Sequence, residues 1–263
     1  FEMKILLTND DGYDAPGLQY LLELLNKHHE VFVLAPETHM SGCGTSLSVS
    51  QHIYYRPYPL ANGNGYVVRG TPCDCILIGL SLINFKPDLC VSGINQGSNC
   101  GFDLNYSGTL GAAKQAHFAG IPSIAFSNLN FQEKQETMKR FDKFVLQILN
   151  NIQLTELQTY NVILNVNFPM AECKGFKLTQ IANQLLFEVK PVCESGIAKY
   201  TKYARTNKSA EEGTDFWAIS EGFGQKNSKR KWTGLKVKNK LKFNNWKSLK
   251  WIYPTNWNNQ RNF

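Results

Sequence analysis

Short, continuous apolar runs alternate with amphipathic stretches over the first 170 or so residues. The runs are MKILL at 3–7, VFVLAP at 31–36, YVVRG at 66–70, DLCVSG at 88–93, IPSIAFS at 121–127 and NVILNVNFP at 161–169. Each is the length of a strand and mainly apolar, the pattern of a parallel sheet covered on both faces. Between them, DAPGLQYLLELLNKHH places Leu18, Leu21, Leu22 and Leu25 at helical spacing, with Asp14 as its expected cap and Pro16 in its first turn. Further helices are predicted from about Asp74 to Ile83, over LGAAKQAHFAG, and over RFDKFVLQILNNI. Strand and helix in alternation predict a doubly wound α/β domain with a mostly parallel sheet over residues 3–170. Beyond Pro169 the pattern weakens, and residues 171–224 read as short strands and turns, a small β-rich extension suited to a projecting, oligomer-forming arm.

Composition narrows the class. At 263 residues, with 43% hydrophobic and 12% aromatic residues, the chain can bury a large core and is not a disordered one. No apolar stretch reaches the length of a membrane span, so a membrane is excluded as a partner. FEMKILLTNDD lacks the build of a secretory signal, and the seven cysteines fall in no paired CxxC spacing. The expectation is a protein of the reducing cytoplasm whose cysteines serve as small hydrophobic residues.

The net charge of +7 is unevenly shared: residues 225–263 hold eleven of the 28 basic residues and none of the 21 acidic ones. Four of the five tryptophans lie there too. The first 224 residues are thus slightly acidic, which makes nucleic acid an unlikely partner for the domain itself.

Open parallel sheets bind their ligands beyond the carboxyl ends of the strands. Three such ends carry polar groups: Asn9-Asp10-Asp11-Gly12 after the first run, His39-Met40-Ser41-Gly42 after the second, and Ser92-Gly93-Ile94-Asn95 after the fourth. Adjacent carboxylates repel unless a cation lies between them. Carboxylate, hydroxyl and amide oxygens together suit a hard divalent ion, Mg²⁺ or Mn²⁺. Asp10, Asp11, Ser41 and Asn95 are therefore the candidate metal ligands. The competing reading of Asp10-Asp11-Gly12 is a plain turn, and the polar groups at the other two strand ends weigh against it.

Residues 94–116, INQGSNCGFDLNYSGTLGAAKQA, form a Gly-, Asn- and Ser-rich loop feeding a helix that starts near Ser107-Gly108-Thr109. A helix start offers free N–H groups and the positive end of the dipole to an anion. Asn99, Ser107 and Thr109 can add hydrogen bonds, although Ser107 can equally be a simple cap. A hard-metal site beside an anion site suggests a phosphoryl group bridging the two. GxxxxGK[ST], GxGxxG and GxSxG are all missing, which disfavours a Walker loop, dinucleotide binding and a hydrolase elbow. His39 reads as a surface residue of a polar loop, and His117 as a packing residue inside its helix.

KILLTNDDGYDAPG, VFVLAPETHMSGCGTSLSV, VVRGTPCDCI, PDLCVSGINQGSNCGFDLNYSGTLGAA and GIPSIAFS, in this order, resemble the SurE family, the survival protein E 5′-nucleotidases. Weaker similarity runs on through LNVNFP and TDFWAISEGF. The resemblance implies a Rossmann-like, three-layer fold and a dimer or tetramer. The implied activity is a metal-dependent phosphomonoesterase acting on nucleoside 5′-monophosphates, with 3′-monophosphates and short polyphosphate as further candidates. It places one divalent metal per subunit on Asp10, Asp11, Ser41 and Asn95, with the two aspartates as the catalytic pair. Phosphate contacts fall on Asn99, Ser107, Gly108 and Thr109. Gly70-Thr71-Pro72 with Asp74 matches a motif that shapes a helix start beside the site.

The resemblance ends after Phe223. The Lys-, Asn- and Trp-rich ending reads as a shifted frame in an A/T-rich gene, as a basic arm that binds nucleic acid or an anionic surface, or as a packing segment of its own. The basic arm carries the alternative function, a non-enzymatic nucleotide or nucleic-acid binder. A phosphatase with an aspartyl nucleophile is a third reading, disfavoured because such sites use Asp-x-Asp rather than adjacent aspartates.

Overall fold

The computed structural model describes residues 2–59, 64–130, 132–159, 161–170, 172–185, 187–204 and 210–226. The six predicted strands are all present. They are β1 (Lys4–Thr8), β2 (Glu30–Pro36), β4 (Asn64–Val68), β5 (Leu89–Gln96), β6 (Ser123–Asn128) and β7 (Leu164–Phe168). They pair in parallel in the order β4-β2-β1-β5-β6-β7. The chain thus winds outward from β1 in one direction, then crosses over and winds outward from β5 in the other. The order reverses between β1 and β5, which opens a crevice at their carboxyl ends.

Both faces of the sheet are covered because side chains of a strand alternate. In β1, Ile5 and Leu7 join one core cluster with Val31, Val33, Leu89 and Val91, whereas Leu6 faces the other with Phe32, Leu34 and Cys90. The first face receives α1 (Pro16–Leu25) and α5 (Asp142–Asn151), the second α2 (Pro72–Leu82) and α3 (Gly108–Phe118). Phe168 anchors the first core, stacked on Phe141 with ring centroids 4.2 Å apart.

The helix starts follow local chemistry, with two departures from the sequence reading. Thr71 caps α2 in a reciprocal capping box with Asp74, so the helix begins at Pro72 rather than at Asp74. Ser107 caps α3 by accepting the Leu110 N–H. Asp14 does not cap α1: the cap position is Ala15, without a side-chain hydrogen bond, and Pro16 provides the pre-set first turn. Asp14 instead faces the cleft beside Asp11.

Several short elements carry no strong pattern: β3 (Tyr55–Pro57) at the sheet edge, and α4 (Gln135–Met138) and α6 (Leu154–Thr159) on its flank. Past β7, β8 (Phe176–Leu178) and β11 (Gly224–Lys226) extend the main sheet. β9 (Phe187–Glu194) and β10 (Ile197–Ala204) form a separate antiparallel hairpin. α7 (Asp215–Ser220) leads into β11. Gln225 and Lys226 thus belong to the sheet, and residues 227–263 of the basic ending lie outside the described residues. All seven cysteines are free, and among the described residues no helix is long and apolar enough to cross a membrane.

Candidate active site

The ends of β1 and β5 bring Asp10, Asp11 and Asn95 to the crevice where the strand order reverses. Asp10 is buried, and the start of α3 closes on it: the Thr109 hydroxyl donates to Asp10 Oδ1 at 2.6 Å, and the Thr109 backbone N–H also donates to this carboxylate. The approach needs glycine at the first helical position. A Cβ on Gly108 would lie 2.8 Å from Asp10 Cβ and 2.7 Å from Cys43 Sγ. Helix start and first aspartate are therefore one unit, with the positive end of α3 directed at a carboxylate.

Asp11 is held differently. Its Oδ2 accepts the Gln96 N–H at 3.0 Å, and its Oδ1 lies 3.4 Å from His39 Nδ1. His39 is 64% exposed, so the surface reading of that residue holds while its ring still reaches the site. Asp11, Asp14, His39, Ser41 and Gln96 line a cleft of about 370 Å³. Ser41 is exposed on the cleft wall, opposite the buried part of the site.

The electrostatics are those of carboxylates crowded out of water. Burial raises the Asp10 carboxyl above its usual range, with the Thr109 hydrogen bonds pulling the other way. Burial first, and the Asp10 charge second, push Asp11 up to about 6. Asn95 is buried, its amide donates to the Gly97 carbonyl at 2.7 Å, and its Oδ1 is buried without a hydrogen-bond partner. Two carboxylates that need a counter-charge, next to an amide oxygen that needs a donor or a cation, form a donor set for a hard divalent ion. A thiol- or imidazole-rich centre does not fit, since no group of three or more His, Cys, Asp or Glu side chains able to hold a metal occurs among the described residues.

The remaining sequence-selected residues sit just behind this pair. Asn99 is buried and points inward: its Nδ2 donates to Ser127 Oγ at 2.7 Å and to Thr109 Oγ1 at 3.4 Å. Its backbone is bracketed by β7, the N–H donating to Asn167 Oδ1 and the carbonyl accepting from Asn165 and Asn167. Thr109 and Asn99 thus form the floor that fixes Asp10, and Ser107 and Gly108 form the rim at the helix start. Ser127, Asn165 and Asn167 escaped the sequence reading because each lies inside an apolar strand, where a polar residue among β-formers carries no periodic signal. The Thr71–Asp74 box also steadies the Ser41 side of the cleft, since Thr71 Oγ1 donates to the Ser46 carbonyl and Asp74 Oδ1 accepts the Ser48 N–H. His117 packs inside α3 with Nε2 2.5 Å from Asn161 Oδ1 and takes no part in the site.

The chain is similar to known proteins over most of its length. A family profile described as Survival protein SurE matches residues 5–188. The 5′-nucleotidase SurE of Clostridium botulinum (strain ATCC 19397 / Type A) is 36% identical over 228 residues, covering 82% of this chain and 88% of the relative. That of Dehalococcoides mccartyi (strain CBDB1) is 35% identical over 229 residues, covering 84% and 86%. The crystal structure of SurE protein from Aquifex aeolicus superposes with a TM-score of 0.70 at 36% identity, covering 85% of this chain and 92% of that one.

Proposed function

The chain belongs to the Survival protein SurE family, and from that premise we propose that it is a divalent-metal-dependent phosphomonoesterase that hydrolyses nucleoside 5′-monophosphates to nucleoside and phosphate. The observation that carries the reading is the buried Asp10–Asp11 pair beside the partnerless Asn95 Oδ1, at the crevice where the strand order reverses. Asp10, Asp11, Ser41 and Asn95 would hold one Mg²⁺ or Mn²⁺ per subunit, which supplies neutralising charge to phosphoryl oxygens.

The protein's own groups divide the remaining work. Ser107, Gly108 and the α3 start orient the phosphoryl group, because helix N–H dipoles favour an anion there. Thr109 and Asn99 hold Asp10 in one rotamer through their hydrogen bonds. Asp11, with an edge on the cleft and one oxygen toward His39, accepts the proton of the attacking water. The cleft beyond Asp11 takes the nucleoside. Val192, Ile197 and Tyr200 stand exposed on the β9–β10 hairpin, which suits a homodimer or homotetramer joined through that arm.

The test is phosphate release from a panel of nucleoside 5′- and 3′-monophosphates and short polyphosphate, with Mn²⁺ or Mg²⁺ and then with chelator. Metal-dependent release lost in Asp10→Asn, with the fold intact, is the expected result. Release that survives chelation, or persists in Asp10→Asn, would refute the assignment.

A further inference from the structure

Asp215 lies at the start of α7, 114 residues away in sequence from the loop that precedes α3, yet it is completely buried against that loop. Its carboxylate gathers three backbone N–H groups from three segments. Oδ2 accepts from Gly101 at 2.9 Å, and Oδ1 accepts from both Ala182 and Phe216 at 2.9 Å. The same seat is closed from other directions. Phe102 N–H donates to the Gln184 carbonyl at 2.8 Å, and Cys100, Ala182, Phe216 and Ile219 share one apolar cluster. Gly101 has φ +54, and a Cβ there would strike the Gln184 carbonyl and come within 2.9 Å of the Phe216 ring. Residues 100–102 are thus clamped by the C-terminal part of the chain, immediately after Asn99 and before the Ser107 cap.

We propose that Asp215 is a positioning residue for phosphate recognition: by anchoring Gly101 it fixes the loop between Asn99 and the α3 start. This rests on the function proposed above. Asp215 touches neither Asp10, Asp11 nor Asn95 in any of its hydrogen bonds, so its effect falls on the phosphate side of the site and not on the metal side. Burying a carboxylate is unfavourable unless its acceptor capacity is filled, and here the filling groups are the loop's own N–H and two from the clamp. Burial nonetheless raises its carboxyl to about 6.

Asp215→Asn in the full-length chain separates these roles. The amide oxygen can keep the Ala182 and Phe216 N–H groups, which leaves the amide nitrogen facing the Gly101 N–H, donor against donor. Three quantities are measured: KM for a nucleoside monophosphate, the affinity for inorganic phosphate by calorimetry, and the affinity for Mn²⁺. Phosphate affinity should fall about tenfold with KM rising in step, while Mn²⁺ affinity stays within about twofold, one hydrogen bond to a charged group being lost from the loop alone. Unchanged phosphate affinity, or phosphate and Mn²⁺ affinities falling together, would overturn the proposal. Should Asp215→Asn not fold, Asp215→Ser, which removes the Gly101 acceptor without placing a second donor against it, is judged by the same two affinities. Phosphate binding needs no turnover. A wild-type protein that binds phosphate but releases none from any substrate would therefore refute the proposed function and leave the positioning role to stand or fall on calorimetry.

Discussion

Replacing Asp11 with Asn should stabilise the protein in the presence of chelator while destroying its response to Mn²⁺. The ordinary aspartate value is 3.8, and burial with the neighbouring Asp10 charge raises Asp11 to about 6. At about 1.4 kcal/mol per tenfold in proton affinity, keeping Asp11 ionised in the fold costs about 3 kcal/mol at pH 8. Because the folded carboxyl holds its proton more tightly than the unfolded one, the stability it contributes is present below about pH 4 and lost as pH rises through 6. The advantage of Asn at this position should therefore shrink from about 3 kcal/mol at pH 8 to about 1 kcal/mol at pH 4.5. For a domain of this size the gain at pH 8 corresponds to a rise in Tm of roughly 6–10 °C.

The assay is urea denaturation of both proteins with chelator at the two pH values, followed by the same titration in Mn²⁺. Subtracting variant from wild type at each pH removes the contribution of titrating groups that do not interact with Asp11, while Asp10 and His39, which do, are part of the effect measured. Mn²⁺ at a thousandfold excess over its Kd should then reverse the order, since it stabilises the form that binds it by about 4.1 kcal/mol. If Asp11→Asn proves no more stable than wild type at pH 8 in chelator, or if the difference is the same at both pH values, the crowded-carboxylate account of the site is wrong.

Two further perturbations probe the floor and the core. Thr109→Val removes the hydroxyl that donates to Asp10 Oδ1 while conserving volume, and should lower kcat/KM roughly 10- to 100-fold, as expected for a hydrogen bond to a charged group; steady-state kinetics on the preferred nucleotide would show it. Phe168→Ala empties the space between Phe126, Phe141 and Phe176 and should cost about 3–5 kcal/mol, read as a lowered urea midpoint with an unchanged slope.

Which features could be read in advance follows from the range of the interactions behind them. A strand buried on both faces is mainly apolar, so each of the six parallel strands announced itself as a run, and the polar residues at three strand ends stood out by contrast. Ser107 and Pro16 were legible because capping and first-turn preferences act within three or four residues. Asp14 misled for the same local reason: its position suits a cap, but it lines the cleft together with Asp11, and that cleft exists only once the strands and α1 are in place. Asn99 meets Ser127, 28 residues on, and Asn167, 68 residues on. Asp215 meets Gly101 across 114 residues. No spacing rule spans such gaps, and the short α7 that carries Asp215 has too few turns to show a periodicity.

Two adjacent aspartates therefore have unequal freedom, and under the proposed function that inequality would let one short turn serve both binding and proton transfer. Asp10 is tied on Oδ1 by a hydroxyl and held further by a backbone N–H of the same residue, at the positive end of α3 and under a glycine that admits nothing larger. Any turn of its side chain would break these bonds together, so Asp10 keeps its place whatever the state of the substrate. Asp11 has one backbone donor and an exposed imidazole at its other oxygen. Its edge is open to the cleft, where a base could both take and return a proton. Reversing the order of the two roles would demand a buried base with no path to solvent and an exposed anchor with nothing to hold it. The Thr109 bond holds Asp10 toward α3 and the Gln96 bond holds Asp11 at the cleft, so two fixed partners assign the two aspartates their different surroundings.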